Sequence, residues 1–113
     1  MISGMDEQQF QQRAEKAMER LTAALYAVEE AAGFDVEERG GALHLTFEEP
    51  PGTFVISPNS AARQIWISAL STSFKLDWNE AFADFVQGPS GEPLLPLMAR
   101  LLTQQTGNAV ELE

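Results

Sequence analysis

The run Arg63-Gln64-Ile65-Trp66-Ile67-Ser68 decides how the chain folds, because it reads as a strand whose two faces want different surroundings. Successive side chains of an extended strand point to opposite sides, so Ile65 and Ile67 share one face while Gln64, Trp66 and Ser68 share the other. The isoleucine face is core. The opposite face carries an indole between an amide and a hydroxyl, and tryptophan is enriched among the residues that anchor interfaces. The stretch predicts a sheet covered on one side and open on the other.

Upstream of this strand, apolar residues at Phe10, Ala14, Ala17, Met18, Leu21, Leu25 and Val28 recur at three and four, which is one stripe of a long amphipathic helix. Asp6 suits its N-cap and Gly33 its stop. From Phe34 the period changes to two. Phe34 and Val36 alternate with Asp35 and Glu37, Gly40-Gly41 supplies a hairpin turn, and Leu43, Leu45 and Phe47 alternate with His44 and Thr46. Pro50-Pro51-Gly52 reads as the next turn, Phe54 to Ser57 as a third strand and Pro58 to Ala62 as a polar loop. Arg63 to Ala69 is the fourth strand and Thr72 to Trp78 a fifth. Phe82 to Val86 fits a short last strand better than a helical turn. After the loop Gly88-Pro89-Ser90-Gly91, Leu94, Leu97, Met98, Leu101 and Leu102 mark a second amphipathic helix ending near Gly107. Pro96 delays its start unless it lies within the first turn, where a missing N–H costs nothing. Helix, run of strands, helix describes an α+β two-layer sandwich: N- and C-terminal helices on one face of an antiparallel sheet of five to six strands.

Composition narrows the function. The chain has 113 residues, enough for one domain spanning 1–113, and no cysteine. Thiolate nucleophiles, CxxC redox chemistry and Cys-based zinc or iron–sulfur ligation by this chain are excluded. Asp and Glu number 17 against 7 Lys and Arg, for a net charge of -10. That field repels phosphate backbones and anionic headgroups, so the expected partners are cations and basic protein surfaces, with no nucleic acid and no membrane. The leading residues Met1 to Glu7 lack the basic and apolar regions of a signal peptide, and no apolar run approaches the roughly 20 residues of a membrane span. A cytoplasmic protein is expected. No Ser-His-Asp spacing, phosphate-cradling glycine loop or HExxH motif is present, and adjacent exposed acids such as Glu29-Glu30 or Glu48-Glu49 ordinarily keep normal pKa values, so an enzyme is not expected.

Several pieces, in order, resemble the frataxin family in its bacterial, CyaY-type form. They are the long first helix leading into Asp35-Val36-Glu37, the hairpin Gly40 to Phe47, Phe54-Val55-Ile56, Gln64-Ile65-Trp66-Ile67-Ser68, Asp77-Trp78, and Ser90-Gly91-Glu92 before the last helix. The Gln-Ile-Trp strand and the Asp-Trp pair are the specific elements. The resemblance implies the sandwich derived above and a role as an iron-binding accessory or regulatory protein of iron–sulfur cluster assembly. Its implied partners are the cysteine desulfurase and the cluster scaffold, met through an acidic ridge and the Trp-bearing sheet face, by a protein that is a monomer without iron. Its implied cofactor is weakly bound iron, Fe2+ or Fe3+, on carboxylates of the first helix and first strand.

The residues themselves point to a cation site. After Leu21 come Glu29, Glu30, Asp35, Glu37, Glu38, Glu48 and Glu49, with Arg39 the only base before Arg63. A hard cation relieves the mutual repulsion of such carboxylates, and ferrous iron, manganese, calcium and magnesium all qualify. Glu15 and Glu19 share a helix face, but Arg13, Lys16 and Arg20 dilute the field there, while Thr22, Ala23, Tyr26 and Ala27 leave the middle of the ridge uncharged. The metal candidates are therefore Glu15, Glu19, Glu29, Glu30, Asp35 and Glu37, centred on the C-terminal end of the helix, whose dipole attracts a cation. The partner-binding candidates are Asn59, Gln64, Trp66 and Ser68. His44 lacks a second histidine or cysteine and is read as exposed or hydrogen-bonded. Trp78 is read as core, and the resemblance implies a further aromatic between the Asp-Trp pair and the last helix, a role that Phe82 or Phe85 would fill. A metal-independent acidic binding module with the same fold is the alternative.

Overall fold

The structure, a computed structural model, describes residues 5–113. The absence of a leader read from the N-terminus rests in part on residues 1–4, outside the described residues.

Helix α1 spans Glu7–Ala32. Asp6 caps it by accepting from the Gln9 backbone N–H at 2.8 Å, and the Gln9 side chain accepts from the Asp6 N–H at 3.0 Å, so two otherwise unpaired donors are satisfied reciprocally. Gly33 ends it at φ 81°, a left-handed conformation that glycine adopts without steric cost. Six strands follow: β1 (Phe34–Arg39), β2 (Ala42–Glu48), β3 (Pro51–Asn59), β4 (Gln64–Ala69), β5 (Thr72–Asn79) and β6 (Asp84–Gln87). They form one antiparallel meander in chain order, so every neighbour in sequence is a neighbour in space. Helix α2, Leu94–Thr106, completes the chain's regular structure.

Several boundaries differ from the sequence reading for physical reasons. Pro58 and Asn59, expected in the loop, extend β3 because they pair with Ile65 and Gln64 of β4. Strand β3 begins at Pro51, so only Glu49 and Pro50 make the turn before it. Helix α2 does not start late: Pro93 is its N-cap and Pro96 sits in the first turn, where its backbone nitrogen has no intrahelical acceptor in any case. The last short segment is a strand, but it starts at Asp84, after a turn in which Ala83 takes a positive φ of 50°.

Both helices cover one face of the sheet. Phe34, Leu45, Phe47, Phe54, Ile56, Ile65, Ile67, Leu76 and Phe85 point toward them and meet Phe10, Leu21, Leu25, Leu97 and Leu101 in one core. Each fully buried Leu, Ile or Phe side chain contributes about 1.5–3 kcal/mol relative to exposure. Phe85 fills the aromatic position, edge-on to Phe10 at 5.9 Å and to Trp78 at 5.3 Å, while Phe82 is exposed. Trp78 is on the covered side but at its border, half-buried, with the Arg13 guanidinium 4.5 Å from its ring centroid. Arg20 reaches Asp84 at 3.1 Å and ties α1 to the far edge of the sheet. Among the described residues no helix lies over the opposite sheet face.

Candidate functional site

On the open face, register turns sequence alternation into a surface. Asn59, Gln64 and Asp77 form one row across β3, β4 and β5; Ser57, Trp66 and Lys75 form the next; Val55, Ser68 and Ser73 the third. The four partner-binding candidates thus share one patch. Within it Trp66 Nε1 donates to Gln64 Oε1 at 2.8 Å, and Gln64 Nε2 donates to Asp77 Oδ1 at 3.0 Å. The Lys75 ammonium stands 5.0 Å from the Trp66 ring centroid, within reach of a cation–π attraction. The indole is 36% exposed, yet held on two sides. A hollow of about 350 Å3 beside it is lined by Val55, Ser57, Ser68, Ser73 and Lys75. Asn59 is committed differently, its Oδ1 accepting from the Ala62 N–H at 2.8 Å to hold the β3–β4 turn.

Lys75 and Asp77 were not among the sequence candidates. Their placement depends on the β4–β5 register, which is set by a tight turn at Leu70 and Ser71 with φ of 54° and 60°. Such turns are normally signalled by Asn-Gly or Asp-Gly, and neither is here.

The carboxylates fall into two groups. Glu29, Glu30 and Asp35, joined by Glu48 and Glu49, surround a polar hollow of about 470 Å3 at the C-terminal end of α1. Glu15 and Glu19 lie further up the helix along a separate groove, where Glu38 joins them. Glu38 is not among the sequence candidates, yet the alternation from Phe34 carries its signal: Phe34, Val36 and Glu38 face the helix side, Asp35 and Glu37 the open side. Two candidates already have partners. Glu29 accepts from the Val36 backbone N–H at 2.8 Å, and Glu37 accepts from Arg39 at 2.6 and 2.9 Å. Among the described residues no three Asp, Glu, His or Cys side chains gather into a group that could hold a metal ion. The donor set does not fit a closed, high-affinity site. His44 lies on the open face opposite Glu37 and Val55, half-buried.

The strongest ionic contact lies elsewhere. Arg100 of α2 grips Glu92 through three N–H···O contacts of 2.7–3.1 Å; these hydrogen bonds hold the Glu92 carboxyl below its ordinary value and raise the Arg100 guanidinium. This pair fastens the loop before α2. Among the described residues no helix is long and apolar enough to cross a membrane.

An open antiparallel sheet backed by two helices, with an ordered tryptophan on its uncovered face and an acidic helix–strand edge, is a two-layer α+β sandwich. The frataxin-like domain model matches residues 3–108. The chain belongs to the frataxin-like family, on its bacterial CyaY-type branch. The iron–sulfur cluster assembly protein CyaY of Dechloromonas aromatica is 29% identical over 108 residues, covering 96% of this chain and 99% of that protein. Its counterpart in Stutzerimonas stutzeri is 34% identical over 79 residues, covering 70% and 71%. The solved frataxin of Psychromonas ingrahamii superimposes with a TM-score of 0.79 at 21% identity over 95% of this chain and 97% of that one, which establishes the shared fold.

Proposed function

We propose that this protein is an accessory, non-catalytic component of iron–sulfur cluster assembly that acts by docking. Its open sheet face, with Gln64, Trp66 and Ser68 at the centre and Asn59 at the rim, meets the cluster scaffold. Its acidic edge, Glu29, Glu30 and Asp35 with Glu37 beside them, meets a basic patch on the cysteine desulfurase. The observation that carries this reading is the exposed Trp66 held in place by Gln64 and Lys75, since an anchor that is already ordered loses less conformational freedom on binding. Relatives named as iron–sulfur cluster assembly proteins support it.

Iron enters this scheme as weakly held cargo or effector on Glu15, Glu19, Glu29, Glu30, Asp35 and Glu37, not as a caged cofactor. A ligand bound to the ridge changes docking only to the extent that it binds the free and docked protein differently. The scattered carboxylates favour a second reading, a metal-independent acidic module that docks through the same surfaces. Affinity titration against the host's cysteine desulfurase and scaffold, at low and moderate salt and with and without anaerobic Fe(II), separates the two. Salt-sensitive docking that responds to Fe(II) supports the metal-responsive adaptor, docking indifferent to Fe(II) supports the module, and no docking on either partner overturns the proposal.

A further inference from the structure

A groove of about 670 Å3 runs between α1 and the β1–β2 hairpin, on the side of the molecule away from Trp78 and Arg20. Its floor is apolar, built where Phe10, Ala14 and Leu43 come to the edge of the core, with Met18 above them. The uncharged residues Thr22, Ala23 and Tyr26, which thin the acidic ridge, form one of its walls. Tyr26 is 47% exposed, although folding alone gives no reason to present a large ring there. The rim carries Glu15, Glu19 and Glu38, and no lysine or arginine is among the described residues that line it.

We propose that this groove receives a basic amphipathic helix of a partner protein, with apolar side chains on the floor and lysines or arginines against Glu15, Glu19 and Glu38. Charge complementarity selects the partner: an acidic rim around an apolar floor rejects anionic lipid, and a second copy of a chain of net charge -10 is repelled. The lining on α1 runs from Phe10 to Tyr26, about 24 Å at 1.5 Å per residue, which matches about four and a half turns of a docked helix. An added β-strand is disfavoured, because the Val36 N–H on the free edge of β1 is already taken by the Glu29 carboxylate. The uncharged middle of the ridge is on this reading a contact surface in its own right. The inference deepens the docking proposal and rests on it only for the identity of the natural partner.

The test uses two synthetic peptides of about 14 residues and equal positive charge, a Leu/Lys amphipathic helix and a Lys/Ser peptide without apolar residues, titrated into the full chain while NMR amide shifts are followed. The Leu/Lys peptide is expected to bind about tenfold more tightly, with shifts at Ala14, Met18, Tyr26 and Leu43. Ala23→Arg, an exposed helix position, should reduce that affinity to the Lys/Ser level with the amide spectrum otherwise retained; Tyr26→Ala serves if that variant misfolds. Equal affinities, shifts confined to the Trp66 face or to Glu30 and Asp35, or groove shifts on dilution without peptide, which would assign it to a second copy, each overturn the proposal. Peptide binding in the groove without desulfurase docking would remove the proposed partner and keep the groove. Desulfurase docking that leaves the groove unshifted would do the reverse.

Discussion

Trp66→Ala separates folding from docking, and the structure sets both magnitudes. The substitution removes one hydrogen bond to Gln64, worth about 0.5–1.5 kcal/mol net, and one exposed cation–π contact with Lys75, worth about 0.5–1 kcal/mol. The ring lies on the bare face and is 36% exposed, so no core cavity opens behind it. The covered part of the ring adds about 1–2 kcal/mol of apolar contact, so the expected loss is about 2–4.5 kcal/mol out of the roughly 5–15 kcal/mol of a domain this size, which leaves the protein folded at room temperature. Docking should suffer more: losing a central tryptophan anchor costs at least about 2 kcal/mol, roughly 30-fold in Kd for the scaffold. Urea denaturation gives the first number and calorimetric titration against the host scaffold the second. Destabilisation beyond about 5 kcal/mol would mean that the ring is packed as core, and a change in Kd under about threefold would mean that this face is not the scaffold interface. Trp66→Phe refines the result, since it keeps most of the apolar area while removing the Nε1 donor that Gln64 holds.

Replacing both Glu30 and Asp35 by Lys should weaken desulfurase docking by more than about tenfold and flatten its salt dependence, without the backbone cost of changing Glu29; unchanged affinity in the same titration would sink the ridge model. Glu92→Gln should cost about 1 kcal/mol at neutral pH, since the pair with Arg100 is part-exposed. Because the folded Glu92 carboxyl titrates below its ordinary 4.5, the stabilisation is fully present above that pH and is lost as pH falls through the folded value, so thermal melts of variant and wild type should converge in acid. Gln105→Leu should cost about 1–3 kcal/mol in urea, because the Gln105 amide donates to the Pro50 carbonyl at 2.8 Å and its removal leaves that acceptor without this donor. Leu21→Ala, at a wholly buried site, should cost about 2–5 kcal/mol in the same assay.

The fold was legible because each element carries its own period and its own stop. Phe10 to Val28 could only be one helical stripe, Gly33 ended it, and the alternation from Phe34 to Ile67 fixed which strand faces meet the helices. What stayed hidden was a turn made by residues that do not advertise it. The break between β4 and β5 at Leu70-Ser71 is legible from the alternation on either side of it, although no glycine marks it, whereas Ala83, with a positive φ before β6, hides the start of the last strand at Asp84.

The same distinction governs the candidate site. Trp66 and its flanking Gln64 and Ser68 were visible because alternation within one strand is a local property. Lys75 and Asp77 were not, because their position depends on register between strands. On the acidic edge, composition counted carboxylates without regard to the partners that folding assigns them. Glu29 reads as a free ridge acid in sequence, yet its carboxylate serves the Val36 N–H on the edge of β1, and Glu37 is held by Arg39. A carboxylate that already accepts a backbone or guanidinium hydrogen bond has one oxygen engaged and its orientation fixed, so it is less free to turn toward a cation with both oxygens. Ridge affinity for cations should therefore rest chiefly on Glu30, Asp35, Glu48 and Glu49 around the helix terminus. Four acids around an open hollow, with no closed cage, favour weak and exchangeable binding of hard cations over selective retention of one metal.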